Sequence, residues 1–373
     1  MRYFLPFFLL LLLPWAVTAA PPMETAAKQA VLIDAVTGAV LLDKQADAKM
    51  PTSSMSKMMT LYVAFDALKQ GKTKLDDMVP VSQRAWKMEG SRMFLDVNSQ
   101  VKIEDLIRGV AVQSGNDASV ALAEAVSGAE SSFAARMNEA AIKLGMANSH
   151  FMNATGLPDP QHYSTPHDLA KLALALLRDF PEYYHYFAEH EFTYNNIKQG
   201  NRNPLLYRNM SVDGLKTGHA EEAGFGLTAS AIRDGRRLVL VVNGLANMQE
   251  RADEPARLIE WGYHDFNNYT LARADQKLAT VKTWLGTEPD VPLMVAQDVV
   301  VTLPVTARAG MQVAVEYAEP VAAPVARGQT IGKVVVTVPG ASPVEIPLLA
   351  GADVPKQGFF AALLTKAGHL FGG

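Results

Sequence analysis

Cysteine is absent from the 373 residues of this chain. Thiol catalysis, cysteine-ligated metal sites and disulfide bridges are therefore excluded. An excess of basic residues is also lacking, because 34 Lys and Arg stand against 38 Asp and Glu, for a net charge of −4. Nucleic-acid-binding domains normally carry a basic stripe, so nucleic acid is not expected as a partner. The eight histidines show no His-Glu-x-x-His spacing, and we expect neither a metal nor another cofactor.

Long apolar runs are scarce as well. After the first 20 residues, no segment has about 18 consecutive apolar residues, the length that spans a bilayer. The start of the chain differs, because Arg2 precedes the uncharged apolar stretch 4–17, which ends in Thr18-Ala19-Ala20. A positive start, an apolar middle and small residues at the end are typical of a secretory signal peptide. We expect residues 1–20 to direct export and to be removed; the alternative, an uncleaved membrane helix, is disfavoured by two prolines within a short run.

The longest part of the chain, residues 26–266, has a mixed α/β pattern. Two apolar runs, 30–34 and 39–43, flank a Val-Thr-Gly turn and predict a β-hairpin. Several segments with helical spacing follow, and residues 237–242 form a further apolar run typical of a buried strand. Strands at both ends with helices between them predict one sheet closed by the two ends of the domain.

The pattern changes towards the C-terminus. Short β-rich runs separated by Gly and Pro predict a small all-β domain over residues 275–352, in the form of a sandwich. Residues 356–373 predict an amphipathic helix, because the apolar side chains of this segment fall within an arc of about 140°. The segment is too short to cross a membrane, so we expect it to lie in the membrane interface. The alternative is a terminal helix packed on the β-domain.

Candidate chemistry begins at Ser54, which is followed three residues later by Lys57. A helix places residues i and i+3 on one face, and a lysine shielded from water can lose its proton and activate a serine. The same Ser-x-x-Lys pattern recurs at Ser99 and Lys102. The second copy lies in a polar turn and lacks an apolar helix immediately after it, so we interpret it as structural.

Two further motifs follow in the chain. Ser114-Gly115-Asn116 predicts a loop that presents a hydroxyl and an amide. Lys216-Thr217-Gly218, followed by His219, predicts a strand end that can bind a carboxylate through charge, hydroxyl and open backbone. A capping turn and a surface strand end are the structural alternatives. The histidines His150, His162 and His167 flank a predicted loop and are interpreted as hydrogen-bonding loop residues.

Together, the three motifs form a recognisable set. Ser-x-x-Lys, Ser-x-Asn and Lys-Thr-Gly, in this order, are typical of serine β-lactamases and penicillin-binding proteins. The chain resembles the low-molecular-mass penicillin-binding proteins, which are the D-alanyl-D-alanine carboxypeptidases of bacterial cell-wall metabolism. The resemblance covers nearly the whole chain and is weakest over residues 270–292. Beyond the motifs, the matching segments are residues 51–60, 106–118, 201–203 and 214–219.

The resemblance implies a fold and a role for each motif. The fold is the β-lactamase-like α/β (α+β) arrangement, in which helices flank an antiparallel sheet. Ser54 is the implied nucleophile, Lys57 its base, and Ser114 and Asn116 extend the proton network. The implied carboxylate site contains Lys216 and Thr217, with repulsion from Lys216 lowering the proton affinity of Lys57. Arg202 is a weaker candidate for substrate recognition, and the backbone of His219, beside Gly218, is an implied oxyanion donor.

The implied partners are the peptidoglycan pentapeptide as substrate, β-lactams as inhibitors, and the periplasmic face of the inner membrane. Three alternatives stay open at this point. A DD-endopeptidase would cut a similar bond with the same residues. A β-lactamase would need a deacylating glutamate in a Glu-x-x-Leu-Asn-like segment, and the nearest segment, residues 191–195, lacks the leucine. An idle wall-binding scaffold could retain every motif.

Overall fold

The computed structural model describes residues 23–339 and 343–371, so the predicted signal peptide, residues 1–20, lies outside the described residues. The chain forms two compact units. One contains Thr25–Leu271 and Val300–Val305, and the other is built mainly from Ala272–Val299 and Thr306–Gly373. Within the described residues, no helix is both long and apolar enough to cross a membrane.

A five-stranded antiparallel sheet organises the first unit. Its order is β2-β1-β9-β8-β7, so the first strands of the unit lie beside strands from its far end. The fold class predicted from the sequence is confirmed, and so is a sheet closed by the two ends of the domain. The strands are β1 (Gln29–Asp34), β2 (Val40–Lys44), β7 (Val212–Ala220), β8 (Gly224–Arg233) and β9 (Arg236–Leu245).

Helices cover both faces of this sheet because the buried strands are apolar on both sides. Val31 of β1 belongs to the main helical core, whereas its neighbour Leu32 approaches Gly262 on the opposite face. The helices of this unit are α1 (Lys57–Lys69), α2 (Gln83–Trp86), α3 (Ile103–Ala111), α4 (Asn116–Ser127), α5 (Glu130–Lys143), α6 (Pro166–Asp179) and α7 (Met248–Asp265).

Helix α1 packs into the core, and ten of its thirteen residues are buried. Its partly exposed face is narrow and contains Tyr62, Asp66 and Lys69 at helical spacing. Phe65 in its middle stacks on Tyr183 at a ring-centroid distance of 5.1 Å and makes edge contacts with Phe180 and Phe187. The first residue of this buried helix is Lys57, so the fold itself removes that lysine from water.

A two-stranded ribbon and a small hairpin complete the first unit. Strand β3 (Met78–Pro80) pairs with β4 (Gln100–Lys102), and β5 (Glu191–Tyr194) and β6 (Ile197–Gly200) form the hairpin. The expectation that no apolar helix follows the second Ser-x-x-Lys copy was wrong, because α3 begins at Ile103 and buries an apolar face. That copy nevertheless lies in a turn and in strand β4 rather than on a helix. There the Ser99 hydroxyl donates a hydrogen bond to the Asp96 carbonyl at 2.7 Å.

The second unit is β-rich, as predicted. Its strands are β11 (Lys277–Trp284), β12 (Asp290–Met294), β14 (Gln312–Tyr317), β15 (Val321–Ala322), β16 (Thr330–Thr337) and β17 (Val344–Ala350). They form one sheet in the order β14-β16-β17-β12-β11-β15. Helix α8 (Phe359–Phe371) ends the described chain, with Phe359, Phe360 and Leu364 largely exposed. The remaining strands, β10 (Phe266–Ala272) and β13 (Val299–Pro304), pair in a separate ribbon that lies almost entirely within the first unit.

Replacing Phe65 with alanine should lower the free energy of unfolding by about 3–5 kcal/mol, because it removes a buried ring from the centre of α1 and leaves a cavity. Ile142→Ala is the matched control, since Ile142 is 79% exposed and its change should stay within about 0.5 kcal/mol. Chemical denaturation measures both values. Equal small losses in the two variants would contradict the packing described for α1.

Candidate active site

Ser54 lies in a 3₁₀ turn, Ser53–Ser56, that leads directly into α1. We call these four residues the serine turn. Its first residue, Ser53, has a φ of +47°, a left-handed conformation that a non-glycine residue adopts at some cost. Ser54 is half-buried, whereas Lys57, one turn later, is fully buried. The turn therefore leaves the serine partly open to solvent and encloses the lysine.

The Lys57 amine lies among three oxygen atoms. Its Nζ is 2.9 Å from the Ser54 Oγ, 2.8 Å from the Asn116 Oδ1 and 2.5 Å from the Thr155 carbonyl oxygen. The Asn116 amide is held in this orientation because its Nδ2 donates to the Glu89 carbonyl at 2.7 Å. Three residues predicted from two motifs, the serine and the lysine of the first and the asparagine of the second, thus share one set of hydrogen bonds.

Burial lowers the pKa of Lys57 to about 7, and the nearby Arg202 charge acts in the same direction, while Asp117 opposes both. A neutral amine has two N–H donors and one lone pair. The Asn116 Oδ1 and the Thr155 carbonyl can only accept, so they take the two N–H groups. The lone pair then faces the Ser54 hydroxyl, which is the geometry that a general base for this serine requires.

The structure does not place Ser114 in the hydrogen-bond network of Lys57, where the resemblance implied that it would lie. It has a φ of +60° and is buried, and its Oγ has no hydrogen-bond partner among the described residues. Ser114 precedes Asn116 by two residues but does not join the hydrogen bonds of Lys57. A buried hydroxyl without a partner is costly, and a bound substrate could supply the missing partner.

The Lys-Thr-Gly motif lies on β7, the strand that faces the serine turn. Gly218 has to be glycine here, because a Cβ would lie 2.7 Å from the Thr52 carbonyl oxygen. Lys216 and Thr217 are buried, and the only hydrogen bond of the Lys216 Nζ within the described part of the chain is a 3.4 Å contact with the Thr217 carbonyl. Burial lowers the pKa of Lys216 well below its usual range, and neighbouring cations add to the effect.

Arg202 and Arg251 bring two more cations towards Lys216. The Arg202 Nη1 donates to the Ser91 Oγ at 2.6 Å, and burial lowers the pKa of both arginines. Arg251 also lies over the ring of Phe225, which stacks on His219 at a centroid distance of 4.0 Å. Cations gathered in this way favour the binding of an anion such as a carboxylate.

Arg251 was missed by sequence reasoning, although a signal was present. It is spaced at i, i+4, i+7 and i+8 with Pro255, Leu258 and Ile259, which are buried residues of α7. That spacing places Arg251 on the buried face of the helix, where a cation needs an explanation. The Thr155 carbonyl was also missed, and it has no sequence signal because it is a backbone group.

Asp117, immediately after the Ser-Gly-Asn motif, was not singled out either. Its fully buried carboxylate accepts hydrogen bonds from the backbone N–H groups of Met93 and Leu95, at 2.8 and 3.1 Å. These bonds fix the loop that also contains Glu89 and Ser91, the partners of Asn116 and Arg202. By contrast, Glu191, the nearest candidate for a deacylating glutamate, lies on the exposed strand β5 and pairs with Lys198 at 2.7 Å.

Comparisons with known proteins agree with the site. A family model described as D-alanyl-D-alanine carboxypeptidase matches residues 16–247, and one described as the penicillin-binding protein 5 C-terminal domain matches residues 266–356. The chain belongs to the D-alanyl-D-alanine carboxypeptidase family. It is therefore a serine-type carboxypeptidase, which confirms the class of enzyme that the resemblance implied.

Individual relatives support the same assignment. The chain is 39% identical over 364 residues to D-alanyl-D-alanine carboxypeptidase DacC of Escherichia coli, covering 95% of this chain and 91% of that protein. The crystal structure of penicillin-binding protein 5 from Haemophilus influenzae matches with a TM-score of 0.84 and 38% identity, covering 91% of this chain and all of that one. A cefotaxime-bound form of penicillin-binding protein D2 from Listeria monocytogenes matches with a TM-score of 0.60 and 27% identity, covering 65% of this chain and all of that one.

Gly156→Ala should reduce carboxypeptidase activity by about 100-fold, because a Cβ at this position would lie 1.9 Å from the Ser53 carbonyl oxygen and displace the serine turn. Gly145→Ala is the matched control, since both glycines have a positive φ but nothing lies within 4 Å of a Cβ at Gly145. The control should lose about 1–2 kcal/mol of stability and keep its activity. Release of D-alanine from a D-Ala-D-Ala peptide is the measurement, and equal activity in both variants would contradict the contact.

Proposed function

We propose that this protein removes the terminal D-alanine from peptidoglycan pentapeptides through an acyl-enzyme on Ser54. The observation that carries the proposal is the 2.9 Å contact between the Ser54 Oγ and the buried Lys57 Nζ, whose lone pair faces the hydroxyl. A serine is a weak nucleophile until a neighbouring base accepts its proton. Lys57 can accept it near neutral pH because burial lowers its pKa to about 7.

In the first half of the reaction, the Ser54 Oγ attacks the carbonyl carbon between the two D-alanines as its proton moves to the Lys57 Nζ. The tetrahedral oxyanion accepts hydrogen bonds from the backbone N–H groups of Ser54 and His219, each worth about 3 kcal/mol in comparable enzymes. The C–N bond then breaks, and the leaving amine of D-alanine takes up the proton that Lys57 accepted from Ser54, so Lys57 is neutral again. The Ser114 hydroxyl, which is buried with no hydrogen-bond partner among the described residues, is suited to pass this proton on.

In the second half, water attacks the ester carbon and gives up its proton to Lys57. The C–O bond to Ser54 breaks, and the Ser54 Oγ takes a proton back. The products are D-alanine and a peptide shorter by one residue. Asn116 keeps the Lys57 amine in place through both steps because its Oδ1 accepts a hydrogen bond from that amine at 2.8 Å.

The terminal carboxylate of the substrate binds beside Lys216 and Thr217, next to the open backbone of Gly218. Arg202 adds positive charge near this carboxylate site, and that charge helps to lower the pKa of Lys216. A bound carboxylate would favour the charged form of Lys216 and so offset the cost of burying it. This arrangement selects substrates that end in a free carboxylate.

β-Lactams would acylate Ser54 in the same way, because their strained amide and their carboxylate resemble those of the substrate. The cefotaxime-bound relative, 27% identical to this chain, supports this extension. We also propose that residues 1–20 direct export and that residues 26–266 form the catalytic domain. The β-domain, residues 275–352, then precedes a membrane-associating segment, residues 356–373, on the periplasmic face of the inner membrane.

Ser54→Ala should reduce D-alanine release by about 10³-fold or more, because the nucleophile is removed. Ser99→Ala is the matched control, since Ser99 begins the second Ser-x-x-Lys copy and its hydroxyl donates to the nearby Asp96 carbonyl instead of contacting Lys57. The control should retain full activity. The assay uses residues 21–373 and a synthetic peptide ending in D-Ala-D-Ala, and full activity in Ser54→Ala would refute the proposal.

The rate of acylation at saturating penicillin should rise with pH and level off above the pKa of Lys57, about 7, because only the neutral amine accepts the serine proton. Between pH 6 and pH 8 the neutral fraction, and with it the rate, should rise about tenfold. Arg202→Gln should move the midpoint to higher pH, since the Arg202 charge lowers the pKa of Lys57. A rate that does not change from pH 5 to pH 9 would argue against Lys57 as the base.

Removing residues 358–373 should release the protein from vesicles that contain anionic phospholipid, because the exposed apolar side chains of α8 are then lost. Leu364→Gln and Thr365→Gln form a matched pair at adjacent positions of the helix. Leu364 lies on the apolar arc and Thr365 opposite it, so only the first change should weaken binding. Co-sedimentation measures the bound fraction, and unchanged binding after the deletion would place the anchor elsewhere.

A further inference from the structure

His162 is buried beside the serine turn, although it contacts neither Ser54 nor Lys57 through a hydrogen bond. Only 5% of its surface is exposed. Its Nε2 lies 2.7 Å from the Ser56 Oγ, and the Ser56 Oγ lies 2.6 Å from the Thr52 Oγ1. The three side chains form a continuous line of hydrogen bonds inside the protein. None of the three takes part in the proton transfers of the proposed reaction.

The direction of these hydrogen bonds follows from the backbone around the ring. The Met152 N–H donates to the His162 Nδ1 at 3.2 Å, so Nδ1 carries a lone pair. In a neutral ring the proton is then on Nε2, which donates to the Ser56 Oγ. The Ser56 Oγ and the Thr52 Oγ1 share the next hydrogen bond, which either hydroxyl can donate. Burial lowers the pKa of His162 to about 4, which keeps the ring neutral over the range in which Lys57 titrates.

The line of hydrogen bonds spans the serine turn from end to end. Thr52 immediately precedes the turn and Ser56 ends it, so a bond between their side chains closes the segment that contains Ser54. Ser56 is fully buried, and a Cβ on Gly156 would lie 3.1 Å from its Oγ, so the hydroxyl has little room to move. The hydrogen bond from His162 therefore holds the Ser56 Oγ at the end of the serine turn.

The same segment also borders the strand that binds the substrate carboxylate. The Thr52 carbonyl oxygen would lie 2.7 Å from a Cβ on Gly218, and the Met55 backbone nitrogen 3.4 Å from it. The position of Thr52 thus affects the spacing between the serine turn and β7. When a nucleophile is displaced by about 1 Å, the reaction rate can fall roughly 100-fold. Side chains that fix the position of this turn therefore have a measurable effect on catalysis.

We propose that His162 is a positioning residue for the acylation step, which holds the serine turn in its reactive geometry through Ser56 and Thr52. It is not a catalytic residue, because it touches neither the substrate site nor the reacting atoms. The edge contact of its ring with Phe151, at a centroid distance of 5.6 Å, keeps the imidazole in place on its other side. The proposal depends on Ser54 being the nucleophile, and the experiment therefore tests the two ideas separately.

The central experiment measures the acylation rate constant and the pre-acylation dissociation constant for a fluorescent penicillin. Ser56→Ala removes one oxygen atom and should lower the acylation rate by about tenfold while leaving the dissociation constant within about twofold. His162→Leu should cause a similar loss, and His162→Gln, which can still donate to Ser56, should recover part of the rate. Thermal unfolding is measured for each variant, so that a global loss of structure is recognised.

The double variant Ser56→Ala/His162→Leu decides whether the two residues act as one unit. If His162 acts through Ser56, its change should add no further loss once the Ser56 hydroxyl is gone. His150→Gln is the matched control on the same segment, since His150 is only partly buried and its Nδ1 bonds the Gln161 carbonyl rather than the serine turn. The control should acylate at the unaltered rate.

The outcomes separate the two claims. Full acylation in Ser54→Ala would overturn the proposed nucleophile itself. Loss of acylation in Ser54→Ala, together with an unaltered rate in Ser56→Ala, would overturn the role of His162 and leave the nucleophile intact. Independent, multiplicative losses in the double variant would also overturn it, because they would mean that His162 acts by another route than Ser56.

Discussion

The burial of the Lys57 amine is the constraint on which the rest of the site depends. Removing an ammonium group from water costs several kilocalories per mole in the free energy of folding, and packing in the rest of the core must offset that cost. The site provides neutral acceptors, the Asn116 amide and the Thr155 carbonyl, at 2.8 and 2.5 Å. Neutral acceptors fix the amine without holding its proton as tightly as a carboxylate would. The lysine can therefore serve as a base.

Several parts of the first unit support this arrangement. Helix α1 is buried over most of its surface, and its first residue is Lys57. The Asp117 carboxylate fixes the loop that orients the Asn116 amide, and the sheet brings Lys216 on β7 beside the serine turn. The two lysines have different surroundings. Lys57 is saturated with acceptors, whereas Lys216 has a single long contact within the described part of the chain and remains open to an anion.

Sequence reasoning predicted the fold class and the three motifs, because a Ser-x-x-Lys spacing and a strand bearing Lys-Thr-Gly are local patterns. It could not predict the Thr155 carbonyl, since any residue type has one. It expected shielding from water and repulsion by Lys216 to lower the proton affinity of Lys57. Burial is the main cause and Arg202 is the like charge that adds to it, while the repulsion between the two lysines contributes to the lowered pKa of Lys216. Ser114 was expected in the network of Lys57, and its hydroxyl has no partner among the described residues. Such details depend on tertiary distances that spacing along the chain does not encode.

The most direct test is a titration of Lys57 itself. Proton–carbon correlated NMR spectra of protein labelled with ¹³C at the lysine ε position report each amine separately, and Lys57→Arg identifies the signal that disappears. The account predicts that the pKa of Lys57 lies near 7, as its burial requires, well below the value of about 10.4 that is usual for a lysine in water. A pKa of Lys57 above about 9 would contradict it, because the amine would then be charged at neutral pH and could not accept the serine proton.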